Sequence, residues 1–365
     1  MLDALIVGAG LIGSSIAWLL AKSGCSVALI DAGRFGGEAS SAAAGMLAPG
    51  GEYHRPSLAA QFAIKSLALY PAFVRRLENE SGLSIDYRRC GAIDLAYGEE
   101  HWCVLQARAD MQRRFGISVH ELCLSTLNSV APGLLREQLS GALFYPNEAC
   151  VAPENLLAAL RIACTNSGVR ICEKTPAERI EAGADQVVAT TPQERTAARY
   201  LVLAAGAWSS QIPLSIGGLP ASIPESFPVK GHLAGYELAP GSLNPILRHG
   251  HNYIVQRKNG FTIAGSCEEY CNFDRSINPK RIAEICETAW SFYSPISQQE
   301  PIRQWIGFRP GIEQHRPAIG RVPGTIVWLA YGHYRNGILL TPATAHLISS
   351  EILADRKRNE VGRAS

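Results

Sequence analysis

The hydrophobic positions near the start of the chain fall in two unbroken runs. Leu5-Ile6-Val7 does not alternate with polar residues, and neither does "CSVALID" (25–31), which closes on Asp31. Short continuous apolar runs of this kind predict parallel strands buried on both faces. Between them the apolar positions are spaced helically through Ile16, Leu19 and Leu20, and Gly24 offers a left-handed stop. Residues 1–31 therefore predict a βαβ unit. Helical spacing returns over 57–81, and again from Glu154 or Asn155 to Gly168. "VRICEK" (169–174), "YLVLAAG" (200–206) and "TIVWLAYGH" (325–333) read as further buried strands.

The middle of the chain has a different rhythm. Residues 85–145 mix strand and short-helix patterns. "HNYIVQR" (251–257) and "FTIAGSCEE" (261–269) flank "KNG", a hairpin signal. Asn278-Pro279 caps a helix running through Trp290, and "RNGILLTPATAHLISSEIL" (335–353) predicts a helix started by Gly337, with Pro342 in its first turns. The chain begins and ends in doubly wound α/β material with antiparallel β structure between. The expected fold is α/β (α+β overall): a doubly wound, Rossmann-like nucleotide-binding domain from 1–85, 145–215 and 310–365, interrupted by an antiparallel-sheet domain from 86–144 and 216–309.

Composition narrows the function classes. A length of 365 residues suits two domains, and 47% hydrophobic with 18% charged residues excludes a disordered chain. A formal net charge of +2 without a run of like charge argues against nucleic acid or an anionic membrane as the main partner. The apolar N-terminus lacks the basic flank of a leader and is broken by glycines and serines. The ten cysteines are scattered, which predicts reduced thiols in a cytoplasmic protein. Cys267 and Cys271 have no His or Cys to complete a metal set, so no metal is expected.

Candidate chemistry begins at "GAGLIG". Gly8, Gly10 and Gly13 form G-x-G-x-x-G between strand and helix: a tight turn, a close approach to a pyrophosphate, and close helix–strand packing. Asp31, at the end of the second strand, stands where an acid meets a ribose hydroxyl. The bland alternative is three packing glycines and a surface acid. FAD and NAD share this fingerprint. Three more glycine-bearing junctions, at 42–46, 203–209 (with Gly206) and 332–340, suit FAD, which is long enough to touch them all; the alternative is three ordinary strand-to-helix turns. "GGEASSAAAGMLAP" (36–49) is small and nearly uncharged, as backbone pressed against a flat ligand would be. In "IGFRPG" (306–311), Arg309 puts a permanent charge into an apparent buried strand. It is equally a structural ion pair or an anchor for a bound anion.

In their order along the chain, "GAGLIGSSIAWLLAKSG…ALID", "GGEASSAAAGMLAP", "LVLAAGAW", "GFRPG" and "GHYRNGILLTPATAHLI" resemble the D-amino-acid oxidase family of FAD enzymes over nearly the whole length, and most of all its glycine-oxidising branch of thiamine biosynthesis. The resemblance implies FAD held at the pyrophosphate by Leu11 and Ile12, at the ribose by Asp31 and Ala32, and along the flavin by Ala39, Ser40, Ala44, Gly45 and Met46. Ala177 would meet the adenine. His333, Tyr334, Arg335, Asn336, Gly337, Ile338 and Leu339 would wrap the flavin's pyrimidine end. Arg309 and Tyr253 would hold a substrate carboxylate, with Arg335 as a second contact. No cysteine in 307–317 offers a covalent flavin link, so FAD is expected to be non-covalent.

The implied reaction is oxidation of glycine, or of sarcosine or D-alanine, by hydride transfer to flavin N5. It gives an imine and, with O2, hydrogen peroxide; no side-chain base is required. Hand-off to thiazole synthesis and a homo-oligomer are expected. The rival readings are a D-amino-acid or N-methylamine oxidase or dehydrogenase, a tRNA-modifying flavin oxidase, and an NAD-sensing module. Glu268 departs from the family pattern, which often has a small or apolar residue there. It is expected to narrow the pocket or repel an anionic substrate unless it faces solvent.

Overall fold

The computed structural model describes residues 1–123 and 125–364; Leu124 and Ser365, within the expected segments 86–144 and 310–365, lie outside it. The N-terminal expectation is met by strand Leu2–Val7, helix Leu11–Lys22 and strand Val27–Ile30, with Gly24 left-handed at φ 82°. These strands belong to a ten-stranded sheet. Its parallel heart runs Arg170–Cys172, Val27–Ile30, Leu2–Val7, Arg195–Leu203, Val327–Tyr331. The long strand Arg195–Leu203 serves two neighbours on one side. Its first half pairs antiparallel with Val187–Thr190, and its last residues pair parallel with Val327–Tyr331.

Helices cover this sheet. Leu11–Lys22 packs against Pro153–Asn166 and the C-terminal helix Gly337–Ala364, which also packs on Leu58–Ser81. Within Tyr334–Glu360 an 18-residue window is apolar enough to resemble a membrane span, with mean hydropathy 1.2, but 61% of that window is buried inside the protein. Its apolarity is accounted for by the helices it packs against.

A second sheet of eight strands runs Arg303–Ile312, Ser226–Glu237, Phe261–Gly265, Asn252–Gln256, Ile246–His249, Ala92–Tyr97, Leu139–Tyr145, His120–Glu121. The "KNG" hairpin is present as Asn252–Gln256 paired antiparallel with Phe261–Gly265. Helix Pro279–Phe292 is capped by the Asn278 side chain, which accepts the Lys280 N–H, and buries Ile282, Ile285, Cys286, Ala289 and Phe292 against this sheet. One element departs from the expected short helices of 85–145. Glu99–Arg114 forms a single 16-residue helix although only Leu105, Ala109 and Gln112 are buried, because one narrow stripe suffices to dock it on the sheet. A three-stranded ribbon, Met46–Leu47, Ala149–Val151 and Tyr87–Arg88, lies apart from both sheets.

Candidate active site

The parallel strands all deliver their carboxyl ends to one place. Val7 leads to Gly8, Ile30 to Asp31, Leu203 to Ala204–Gly206, and Tyr331 to His333. Residues from these four ends, and Thr175 to Ala177 beyond the fifth strand Arg170–Cys172, line one cavity of about 900 Å³. Ligands of doubly wound sheets bind outside the carboxyl ends of the strands. The cavity continues along the small segment 36–46 to the second sheet, where it meets Tyr253, Ser266, Glu268 and Arg309.

The end near the first strand fits a dinucleotide. Helix Leu11–Lys22 has Gly10 as its N-cap, no side-chain cap and no acid in its first turn, so its N-terminal end faces the cavity with no acid of its own to compensate it. The Leu11 N–H donates to Ser40 Oγ at 3.0 Å, which ties the small segment to the helix start. Gly8 has φ 109°, and a side chain there would collide with the Ala204 carbonyl. Asp31 accepts the N–H groups of Ala9 and Gly33, each at 2.7 Å. Burial raises its pKa, and those two donors oppose the rise. A carboxylate fixed this way keeps lone pairs for ribose hydroxyls. Glycine-lined backbone, an open helix N-terminus and a held acid fit the pyrophosphate and ribose of FAD.

Of the residues expected at the cofactor, Gly8, Gly10, Leu11, Ile12, Asp31, Ala32, Ala39, Ser40, Ala44, Gly45, Met46, Ala177, Gly206, His333, Tyr334, Arg335, Gly337 and Ile338 line this cavity. Gly13, Asn336 and Leu339 do not. Gly13 lies against the Gly8 carbonyl, inside the helix–strand contact. Leu339 is in the hydrophobic core. Asn336 closes a turn, its N–H donating to the His333 carbonyl at 2.9 Å. His333 is buried, with Nε2 3.1 Å from Thr344 Oγ1, and burial pushes its pKa down to about 3. It is a neutral imidazole, unable to serve as a cation.

At the other end, Arg309 sits on strand Arg303–Ile312, opposite Val229. Its Nη1 donates to the Cys267 carbonyl at 2.9 Å and its Nη2 to Ser266 Oγ at 2.5 Å. Among the described residues no acid lies within ion-pair distance of it, so its charge is uncompensated by a direct partner. Tyr253, buried in the same wall, pairs with Gly265 across the hairpin. Burial raises the pKa of its hydroxyl, which therefore stays protonated and able to donate.

Arg335 is in a different state. Its Nε donates to Glu52 Oε1 at 3.0 Å and its Nη1 to Glu268 Oε1 at 3.2 Å. All three residues line the cavity. For Glu268, burial alone would raise the pKa, but the Tyr334 hydroxyl, Arg309 and Arg335 outweigh it and hold the carboxyl below its ordinary value. Glu52, His251, Ser266 and Cys267 are cavity residues that sequence patterns did not mark. Glu52 is 283 positions from the arginine it meets, and no local signal announces such a pair.

Behind this wall His232, Cys267 and Glu269 bring metal-type donors close together. Their hydrogen bonds are unsuited to a cation. The Asn278 N–H donates to His232 Nε2 at 2.9 Å, which leaves the ring proton on Nδ1, facing Cys267 Sγ at 3.3 Å. Glu269 is already paired with Arg281 at 3.0 Å.

A sheet-end dinucleotide cavity running on to an uncompensated arginine defines a flavin-dependent oxidoreductase, and the family comparison agrees. The chain belongs to the FAD-dependent oxidoreductase (DAO) family, whose model matches residues 3–351. It is 33% identical over 358 residues to the glycine oxidase of Geobacillus kaustophilus, spanning 97% of this chain and 93% of that protein. A crystal structure of glycine oxidase from the same organism superposes with a TM-score of 0.90 at 31% identity, covering 97% of this chain and 95% of that one. The bifunctional protein ThiO/ThiG of Synechocystis sp. is 31% identical over 96% of this chain, which spans only 51% of that protein.

Proposed function

We propose that this FAD-dependent enzyme of the amino-acid oxidase class oxidises small amino acids, glycine first, to the corresponding imine. The observation that carries the reading is Arg309: a guanidinium without an acid partner, in the wall of a cavity continuous with the dinucleotide end. An unpaired anion in such a pocket costs several kcal/mol or more. A planar, always-charged fork offsets that cost and orients a carboxylate at once. In this reading 1–85, 145–215 and 310–365 form the cofactor domain, and 86–144 and 216–309 the substrate domain.

Arg309 takes the substrate carboxylate and Tyr253 donates its hydroxyl to the same group. Two anchors from separate strands of one sheet fix the direction of the Cα–H bond, which is where positioning contributes most to rate. Neither His333 nor Glu268 is suited to be a base. His333 is neutral but engaged with Thr344, and Glu268 is held ionised by Tyr334 and Arg335. The amine therefore reacts in its deprotonated form. FAD, when bound, supplies the hydride acceptor and returns the electron pair to O2, so the products are an imine and hydrogen peroxide. The imine hydrolyses to glyoxylate and ammonia or passes to thiazole synthesis. The Synechocystis relative, half of which matches this chain, fits such a hand-off.

The test is direct. The purified holoenzyme, presented with glycine, sarcosine, D-alanine and D-proline, is expected to release peroxide, fastest with glycine or sarcosine. Bound flavin that none of these amino acids reduces under anaerobic conditions would overturn the reading.

A further inference from the structure

Of the four arginines that line the cavity, Arg34, Arg275, Arg309 and Arg335, the two beside Ser266 and Glu268 are in opposite states. Arg309 has no acid partner among the described residues. Arg335 has two, Glu52 on Nε at 3.0 Å and Glu268 on Nη1 at 3.2 Å. Counted together, two guanidinium groups and two carboxylates cancel. A monocarboxylic amino acid brings a single carboxylate to this wall. That carboxylate has one guanidinium without an acid partner to take, that of Arg309, whose Nη1 and Nη2 each also donate to the wall, to the Cys267 carbonyl and Ser266 Oγ.

A second carboxylate meets a different situation. The guanidinium that shares this end of the cavity with Arg309 is that of Arg335, and Glu268 takes its Nη1. The newcomer must displace Glu268 or stand beside it as a like charge. Either course leaves one anion poorly paired in a partly desolvated site, which is costly. Glu268 is well placed for this role. It lines the cavity, it is only partly buried, and it is paired with Arg335. Glu52 fixes the far side of Arg335, so the guanidinium stays in the wall when Glu268 is changed.

We propose that Glu268 restricts the site to amines bearing a single carboxylate, by occupying the edge of Arg335 that would otherwise hold a second one. This rests on the amino-acid oxidase reading above and names its substrate class: monocarboxylic amino acids, with aspartate-like and iminodiacetate-like diacids rejected. Without Glu268, Arg335 becomes a second carboxylate anchor.

The experiment uses wild-type, E268Q and E268A holoenzymes and reads kcat/KM for glycine, D-aspartate and iminodiacetate. A parallel titration follows the flavin spectrum with acetate and with malonate, which needs no turnover. The diacid-to-monoacid ratio is expected to rise about tenfold or more in both variants, the worth of one charge-assisted hydrogen bond. Adding R335Q to E268Q is expected to remove the gain. An unchanged ratio in both variants overturns the proposal. So does a gain that survives R335Q, because bare loss of repulsion would then explain it. If no amino acid is oxidised by any form, the amino-acid oxidase reading fails, while the acetate and malonate titrations still decide the role of Glu268.

Discussion

Gly231 lies under the guanidinium of Arg309. A Cβ built on it would stand 2.5 Å from Nη2 and 2.6 Å from Nη1. The two residues are on adjacent strands, Gly231 facing Gly307 and Arg309 facing Val229. The arginine can cross flat over the sheet only because its neighbour has no side chain.

Gly231→Ala is therefore expected to push the guanidinium off its seat without touching the cofactor end. Small misplacements of a substrate anchor are costly, on the order of a hundredfold for about 1 Å. The variant should keep its flavin and melt near the wild type while kcat/KM for glycine falls by that order. Steady-state peroxide release with a flavin-to-protein absorbance ratio checks it. Wild-type kinetics would show that the close approach does not matter.

Asp31 is the corresponding fixed point at the dinucleotide end. Its two oxygens satisfy the Ala9 and Gly33 N–H groups, so Asp31→Ala removes a ribose partner and orphans two backbone donors. A charge-assisted hydrogen bond is worth about 1.5–3 kcal/mol, so if Asp31 holds the ribose as proposed, FAD affinity falls by at least about tenfold. Asp31→Asn, whose amide oxygen can accept one of the two donors, should lose less. Flavin retained after desalting measures the effect; full retention in Asp31→Ala would contradict the assigned role.

His333 gives the fold a pH dependence with a definite sign. Burial holds its folded pKa near 3, against 6.5 for the free group. The unfolded chain therefore binds the extra proton first, and stability falls as pH drops below about 6.5. Between about pH 6.5 and pH 5 the loss from this residue approaches 2 kcal/mol, since each pH unit is worth about 1.4 kcal/mol. His333→Gln, which can still meet Thr344, should flatten the acid side of a Tm-against-pH curve. An equal slope in both proteins would refute the burial argument.

Some of this was legible in the sequence because the signals are local. The turn after Leu2–Val7, the "KNG" hairpin and the Asn278 cap each depend on residues a few positions apart, and each is present. The cofactor end was legible for the same reason, since one helix and its flanking strands build most of it. The state of Arg335 was not. Its partners Glu52 and Glu268 are 283 and 67 positions away, and the chain must fold before the three meet. The same holds for the acid network under the turn Pro49–Glu52. There Glu148 accepts the Gly50 N–H at 2.6 Å and pairs with buried Arg248 at 2.6 Å, which in turn meets Asp94. Within 85–145 short helices were legible but the 16-residue length of Glu99–Arg114 was not, because its polar surface hides a three-residue stripe.

The central claim is that the free guanidinium of Arg309 holds the substrate's carboxylate, and Arg309→Ala tests it most directly. The holoenzyme variant is assayed for peroxide release over a range of glycine concentrations, with its flavin spectrum recorded beside wild type. The expected result is an unchanged flavin spectrum with KM for glycine raised on the order of a hundredfold, and little rescue by Arg309→Lys, which lacks the planar fork. Glycine turnover with wild-type KM and kcat in Arg309→Ala would contradict it.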